Sequence, residues 1–255
     1  MLALLQPAWR APRTVRAAFS WRTGGSSSPP WASLNLAQHV GDAAGDVSAN
    51  RARLRAELQL PDEPVWLRQV HGCAVVRAAG RAATASTEAP PVADAAVTRE
   101  AGLPLAIMVA DCLPVLLCSA SGHVIAAAHA GWRGLAAGVL EATVQAMDLA
   151  GEPACAWFGP CIRQPQFEVG AEVRTAFMQA AAAGDAAVTA AAFSDNARGR
   201  WQCDLARLAE LRLRRLGITS IDDCGICTHA DAARCFSHRR DGQTGRMAAL
   251  LWLQP

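Results

Sequence analysis

The sequence predicts a mixed α/β fold, and three features predict it. Short apolar runs of strand length end at polar or turn residues, other stretches space their leucines and valines at helical intervals, and no segment has the composition of an interdomain linker. Hydrophobic residues make up 52% and charged residues 18% of the 255, enough apolar surface to bury a core in one domain spanning 1–255.

Taken in order, Gly24 to Pro30 (GGSSSPP) and Gly41 to Gly45 are loops. Asp46 is placed to cap a helix carrying Val47, Leu54 and Leu58. Val65 to Val76 reads as two short strands about a turn at His71-Gly72, and residues 82–91 (AATASTEAPP) as an exposed loop. Leu105 to Val109 and Val115 to Leu117 are buried-strand candidates, interrupted at Asp111-Cys112. Val124 to Ala128 is another, ending at His129. After Gly134, the residues Leu135, Val139, Leu140, Val144 and Met147 share one helical face. Ala180 to Ala192 reads as a helix end and a loop. Asp204 is the cap expected for a helix with Leu205, Leu208 and Leu216 inward and Gly217 as its stop.

Composition narrows the chemistry. There is no Tyr, and all 24 basic residues are Arg, so neither a Schiff-base lysine nor a P-loop lysine is available. Proton transfer and nucleophilic attack fall to His, Cys, Asp, Glu, Ser, Thr or an activated water. A formal net charge of +2 gives no broad footprint for nucleic acid or an anionic membrane. No apolar run approaches the length of a membrane span. Nine scattered Cys, and a start that lacks the basic-then-apolar order of a signal peptide, point to a reducing cytoplasm with thiols free for metal or catalysis.

Three segments place a metal-capable residue where a strand ends or breaks: Gln69-Val70-His71-Gly72, Ala110-Asp111-Cys112-Leu113-Pro114, and Ala128-His129-Ala130-Gly131-Trp132-Arg133-Gly134. Two imidazoles and a thiolate suit zinc, and three protein ligands leave a fourth position for water or substrate. The separations of 41 and then 17 residues match no short zinc signature, so on spacing alone the three are equally compatible with ordinary core or turn residues.

A family resemblance bears on that choice. QVHG at 69–72, ADAAVT at 93–98, ADCLPVLL at 110–117, HAGWRG at 129–134, GPCI at 159–162, FEVG at 167–170 and FSHRRDGQTGRMA at 236–248 resemble the polyphenol-oxidase or laccase-like family of purine nucleoside phosphorylases. Phe19 to Ser26, Ser33-Leu34-Asn35-Leu36 and Asn50-Arg51 extend the likeness, which runs from about residue 19 to the C-terminus; Trp21 stands where a small polar residue is commoner. The resemblance implies an α+β fold, a four-layer αββα sandwich with mixed sheets. It implies zinc on His71, Cys112 and His129. It also implies phosphorolysis of adenosine, inosine, guanosine and methylthioadenosine, with deamination of adenosine. The older laccase label implies copper, but a multicopper oxidase needs many His ligands and the chain has only six His.

The reactions assign further roles. Deamination needs an activated water at C6 of adenine, which zinc supplies by lowering the pKa of its water to roughly 7. It also needs an acid for the departing ammonia, for which Asp111 and Asp94 are the candidates. Phosphorolysis needs a phosphate clamp, and Arg22, Arg133, Arg239 and Arg240 are candidates, Arg240 foremost. Asn35 and Gln69 could read base or ribose edges, or simply bond within turns. His238 could orient substrate and Trp132 could stack on a base. Cys224 and Cys227 have CxxC spacing without the second pair a zinc ribbon needs, Cys161 sits in a Gly-Pro-Cys turn, and His39 and His123 read as structural. The partners expected are a purine nucleoside and phosphate, with no nucleic acid or membrane, on a monomer or homodimer. The rival readings are a zinc hydrolase or amidase acting on a nucleotide-linked cell-wall precursor, a copper-dependent polyphenol oxidase, and a thiol-based protein with Cys112 as nucleophile.

Overall fold

The computed structural model describes residues 2–80 and 89–255. Its strands, in chain order, are β1 (Leu4–Leu5), β2 (Val15–Ser20), β3 (Val75–Arg77), β4 (Ala95–Thr98), β5 (Leu105–Val109), β6 (Leu113–Ser119), β7 (Ile125–Ala130), β8 (Ala154–Phe158), β9 (Glu168–Val169), β10 (Phe193–Asp195), β11 (Trp201–Cys203), β12 (Ser220–Asp223) and β13 (Met247–Leu253). The helices are α1 (Ala44–Leu58), α2 (Trp132–Ala137), α3 (Val139–Met147), α4 (Ala171–Ala180), α5 (Ala186–Ala190), α6 (Leu205–Arg215) and α7 (His238–Asp241).

Two sheets stack face to face. One is antiparallel, in the order β1-β2-β13-β5; the other runs β12-β8-β6-β7-β4-β3 and is mixed, with β12–β8 and β3–β4 parallel. Period-two alternation sorts their side chains. Phe19, Ile107, Met247 and Leu251 of the first sheet meet Leu116, Cys118, Ile125 and Trp157 of the second in one buried layer. The opposite face of the mixed sheet, with Val115, Leu117, Ala126 and Phe158, is covered by Leu135, Leu140, Phe177, Leu208 and Leu213 of the helices. The opposite face of the antiparallel sheet, with Met108, Ala248 and Leu250, is covered by Leu54 of α1 and by Leu34, Leu36 and Trp66. The layers therefore run helix, sheet, sheet, helix, the αββα sandwich expected. A small third sheet, β10-β11-β9, lies beside it.

Several local expectations change. Helix α1 starts after Ala43, and Asp46 lies inside its first turn, where its charge faces the positive end of the helix dipole without capping. Within 65–76 only β3 is a strand; Val65 and Arg68 make isolated bridges to Leu105 and Val92. The chain curls there because a carboxylate, that of Asp94, takes the backbone N–H groups of residues 70–72 that a ladder would need. The helical face after Gly134 is real, but Gly138, at φ 103°, breaks it into α2 and α3. The helix ending at Ala180 is followed by a second short one, α5, within the stretch read as loop. Asp204 caps α6, accepting the Arg207 N–H at 2.9 Å. Leu216 lies beyond the last turn and is 38% exposed, and Leu213 fills the inward position instead. Of the predicted loop at 82–91, residues 82–88 lie outside the described residues, and Ala89 and Pro90 are exposed. No helix among the described residues is long and apolar enough to cross a membrane.

Candidate metal centre

The break between β5 and β6 and the end of β7 meet at one end of the inter-sheet layer. His129 pairs with Pro114 in the β6–β7 register, so Cys112, just before β6, falls beside it. Both residues have the parity of the inter-sheet face, and Cys112 packs against that layer. His71 arrives from the curled segment before β3. The donor atoms of His71, Cys112 and His129 lie within 4.8 Å of one another, and Cys112 Sγ is 3.8 Å from His71 Nε2. His129 is buried and His71 is exposed, so the cluster opens to solvent on one side.

Backbone geometry serves this convergence. His71 and Asp111 have φ of 62° and 96°, left-handed values that non-glycine residues adopt at a cost. Each is held by side-chain bonds. Asp94 Oδ1 accepts the His71 N–H at 2.8 Å, and Oδ2 accepts those of Gly72 at 2.7 Å and Val70 at 3.2 Å. Asp111 Oδ1 accepts the Thr228 hydroxyl at 2.6 Å, and Oδ2 accepts the Arg239 N–H at 2.7 Å. A Cβ on Gly131 would stand 2.9 Å from Cys112 Sγ and 2.9 Å from His71 Cδ2, so glycine there leaves the ligands room. A Cβ on Gly134 would meet the Gly72 carbonyl at 2.7 Å, so the first turn of α2 packs directly on the His71 turn.

Electrostatics prepare the donors. Asp94 Oδ1 also accepts His129 Nδ1–H at 2.8 Å, which fixes the tautomer and turns Nε2 toward the cluster. Burial works against the Asp94 charge, yet bonds from His129, Gly72 and His71 hold its pKa below the usual carboxylate range. Burial likewise opposes a Cys112 thiolate, but the His129 and His71 imidazoles outweigh it and bring the thiol down to about 6. His129, penalised by burial, is raised to about 9 by Cys112 and Asp94. With no metal bound, the pair is a thiolate beside an imidazolium, and a metal ion would displace that proton. Two imidazoles and a thiolate, an ordering carboxylate, a glycine-lined opening and one exposed side together fit a metal ion with a free coordination position.

The other predicted residues divide. Asp94, expected as a proton donor, is fully buried with each oxygen bonded twice, so it positions the ligands instead. Asn35 is fully buried and bonds Ala37, Asp42 and the Arg246 N–H, so its amide serves a turn, and Gln69 clasps both the N–H and the carbonyl of Met108 at a strand edge. Arg22 donates to the carbonyls of Ala32 and Ala232 and lies over Phe236. Arg240 spends its guanidinium on the carbonyls of Thr228, His229 and Cys235 and on both oxygens of Asp241, which leaves no N–H for an anion. Arg239 is exposed and donates to the Glu168 carbonyl, His238 bonds Gly242 through Nδ1, and Arg133 is exposed over the half-buried Trp132. Cys224, Cys227 and Cys161 are unpaired thiols. Sequence reasoning missed Thr228 as the partner of Asp111. It also missed Arg246, which lies within the stretch 236–248 quoted above but carries no signal separating it from the two arginines before it.

A sequence profile described as multi-copper polyphenol oxidoreductase laccase matches residues 16–254. The chain belongs to that family. Similar proteins carry another name: the purine nucleoside phosphorylase of Pseudomonas aeruginosa is 46% identical over 258 residues, covering 100% of both chains. The purine nucleoside phosphorylase YfiH of Escherichia coli (strain K12) is 45% identical over 253 residues, covering 99% of this chain and 100% of the relative. A Neisseria meningitidis crystal structure superposes with a TM-score of 0.89 at 40% identity over 99% of each chain, and YlmD from Geobacillus stearothermophilus with 0.86 at 30% over 100% of each.

Proposed function

We propose that the chain is a zinc-dependent purine nucleoside phosphorylase, acting on adenosine, inosine, guanosine and methylthioadenosine, that also deaminates adenosine. The observation that carries this reading is the convergence of His71, Cys112 and His129 at a solvent-facing end of the sandwich, in a chain whose relatives are named purine nucleoside phosphorylases. His71, Cys112 and His129 would hold the ion, which when bound supplies a Lewis acid at the open position. Asp94 keeps His129 Nε2 directed at the ion and fixes the His71 turn. Asp111, whose two oxygens accept one bond each, retains lone pairs and is the remaining candidate to move a proton at the purine. The proposed location is the cytoplasm, a reading supported by the nine scattered Cys.

The family description favours a second reading, a copper-dependent polyphenol oxidase. Against it, among the described residues only one group of metal-capable side chains gathers, where multicopper chemistry needs several. The test is to incubate metal-analysed protein with adenosine, with and without phosphate, and to separate the products. Free adenine with ribose 1-phosphate supports phosphorolysis, and inosine supports deamination. Phosphate-independent release of ribose would move the assignment to a hydrolase. Oxygen uptake on a phenol that requires added copper would move it to the oxidase.

A further inference from the structure

Phosphorolysis needs a held phosphate, and two of the four arginines that the sequence offered have given their donors to the protein, Arg240 entirely and Arg22 largely. Arg246 is arranged differently. It directly precedes β13, and continuing the Met247–Val109 register places it beside Ala110, immediately before Asp111-Cys112. Its backbone N–H donates to Asn35 Oδ1 at 2.9 Å, and one terminal nitrogen donates to the carbonyls of Thr244 at 2.9 Å and Gly245 at 3.1 Å. The guanidinium is thus anchored by one corner. Among the described residues Nε and the other terminal nitrogen have no protein acceptor, and no carboxylate forms an ion pair with Arg246.

A half-buried guanidinium without a carboxylate is unusual, because burial penalises its charge and an ion pair is the ordinary remedy. The burial is felt, since it holds the Arg246 pKa below the usual arginine range, with Cys112 and Asp111 acting in the opposite sense. Among the described residues neither is hydrogen-bonded to Arg246: Cys112 belongs to the ligand cluster, and Asp111 accepts from Thr228 and the Arg239 N–H. His39 lies in the fields of both Arg246 and Arg51. Arg51 is itself fixed, with Nε on the Leu36 carbonyl at 2.9 Å and its guanidinium 3.9 Å over the Trp66 ring. Arg246 itself lies close enough to the metal centre to feel the charges of Cys112 and Asp111. Its Nε–H and the N–H groups of its other terminal nitrogen form an edge that can meet two oxygens of one anion.

We infer that the unpaired edge of Arg246 holds inorganic phosphate beside the metal centre. This role rests on the phosphorylase reading. In the reaction a phosphate oxygen forms a bond to ribose C1′ as the C1′–N9 bond breaks. Its electron pair leaves on the purine, and the proton of the hydrogen phosphate ends on the purine.

The experiment titrates inorganic phosphate into zinc-loaded wild type, Arg246→Gln, Arg246→Lys and Arg133→Gln, with zinc content measured on each. KM for phosphate and for inosine is then determined separately. Arg246→Gln is expected to weaken phosphate binding and to raise its KM about ten- to a hundredfold, as for a lost charge-assisted bidentate contact. KM for inosine and zinc content should change little, and Arg246→Lys should recover part of the loss. If the glutamine form does not fold, the lysine form is decisive, with a severalfold rise in KM for phosphate alone expected. Phosphate binding within twofold of wild type in the folded Arg246 variants, or a larger loss in Arg133→Gln, overturns the inference. A wild type that binds phosphate through Arg246 but cleaves no nucleoside would defeat the phosphorylase reading and leave the anion site standing. A wild type that binds no phosphate defeats the anion site.

Discussion

Replacing Asp94 by Asn tests how the metal centre is held. The carboxylate is fully buried and accepts four bonds: from His71 N–H and His129 Nδ1–H on Oδ1, and from Gly72 N–H and Val70 N–H on Oδ2. Asparagine keeps one acceptor and puts an NH2 in place of the other. If its oxygen faces His129, the N–H groups of Gly72 and Val70 confront a donor. If it faces Gly72, His129 must turn its proton to Nε2, the atom a metal needs. Either way two bonds to a charged acceptor are lost, each worth about 1.5–3 kcal/mol, so the fold loses about 3–6 kcal/mol locally. Loss of an ordering carboxylate typically costs about 10- to 100-fold in metal affinity. The assay is competition for zinc against a chromophoric chelator, paired with thermal melting of metal-free protein. Zinc affinity within twofold of wild type, with an unchanged melting temperature, would refute the assignment of Asp94 as the organiser of the site.

Other outcomes follow from the same geometry. Gly131→Ala should lose zinc while the melting temperature of the metal-free protein changes little, because its Cβ would press on Cys112 Sγ and His71 Cδ2 at 2.9 Å; elemental analysis reads this. In metal-free protein, Cys112 is an acid whose pKa is lowered to about 6, so its thiolate persists down to that pH and is lost below it. Its alkylation by iodoacetamide should rise with a midpoint near 6 rather than the roughly 8.5 of a free thiol, and the affinity for zinc, which needs the thiolate, should weaken progressively as pH falls below about 6. Arg240→Ala should lower the melting temperature strongly and should not raise KM for phosphate selectively, since every donor of that side chain is bonded within the fold. Asp204→Ala should destabilise the chain by about 1 kcal/mol through loss of the α6 cap, with zinc content and activity intact by elemental analysis and assay.

The sequence was most legible where a local rule decides the outcome. Buried strands such as Leu105–Val109 need only a continuous apolar run between breakers, and Asp204 caps α6 through atoms three residues away. The three donors were visible as metal-capable residues at strand breaks, a pattern that core or turn residues fit equally well, and the family motifs that enclose all three decided between the two. What stayed hidden depends on partners distant in sequence. Asp94 looked like a proton donor until its oxygens met His71, Gly72 and His129, and Arg240 looked like a phosphate clamp until Thr228, His229 and Cys235 took its N–H groups. Arg246 is half-buried yet engages protein carbonyls through one terminal nitrogen alone. Residue type sets which atoms can donate, accept or bind a metal, and that much is fixed by the chain itself. Which of those atoms remain free is a matter of saturation, since a donor already bonded inside the fold cannot also bind a ligand. Only the packed tertiary structure decides that.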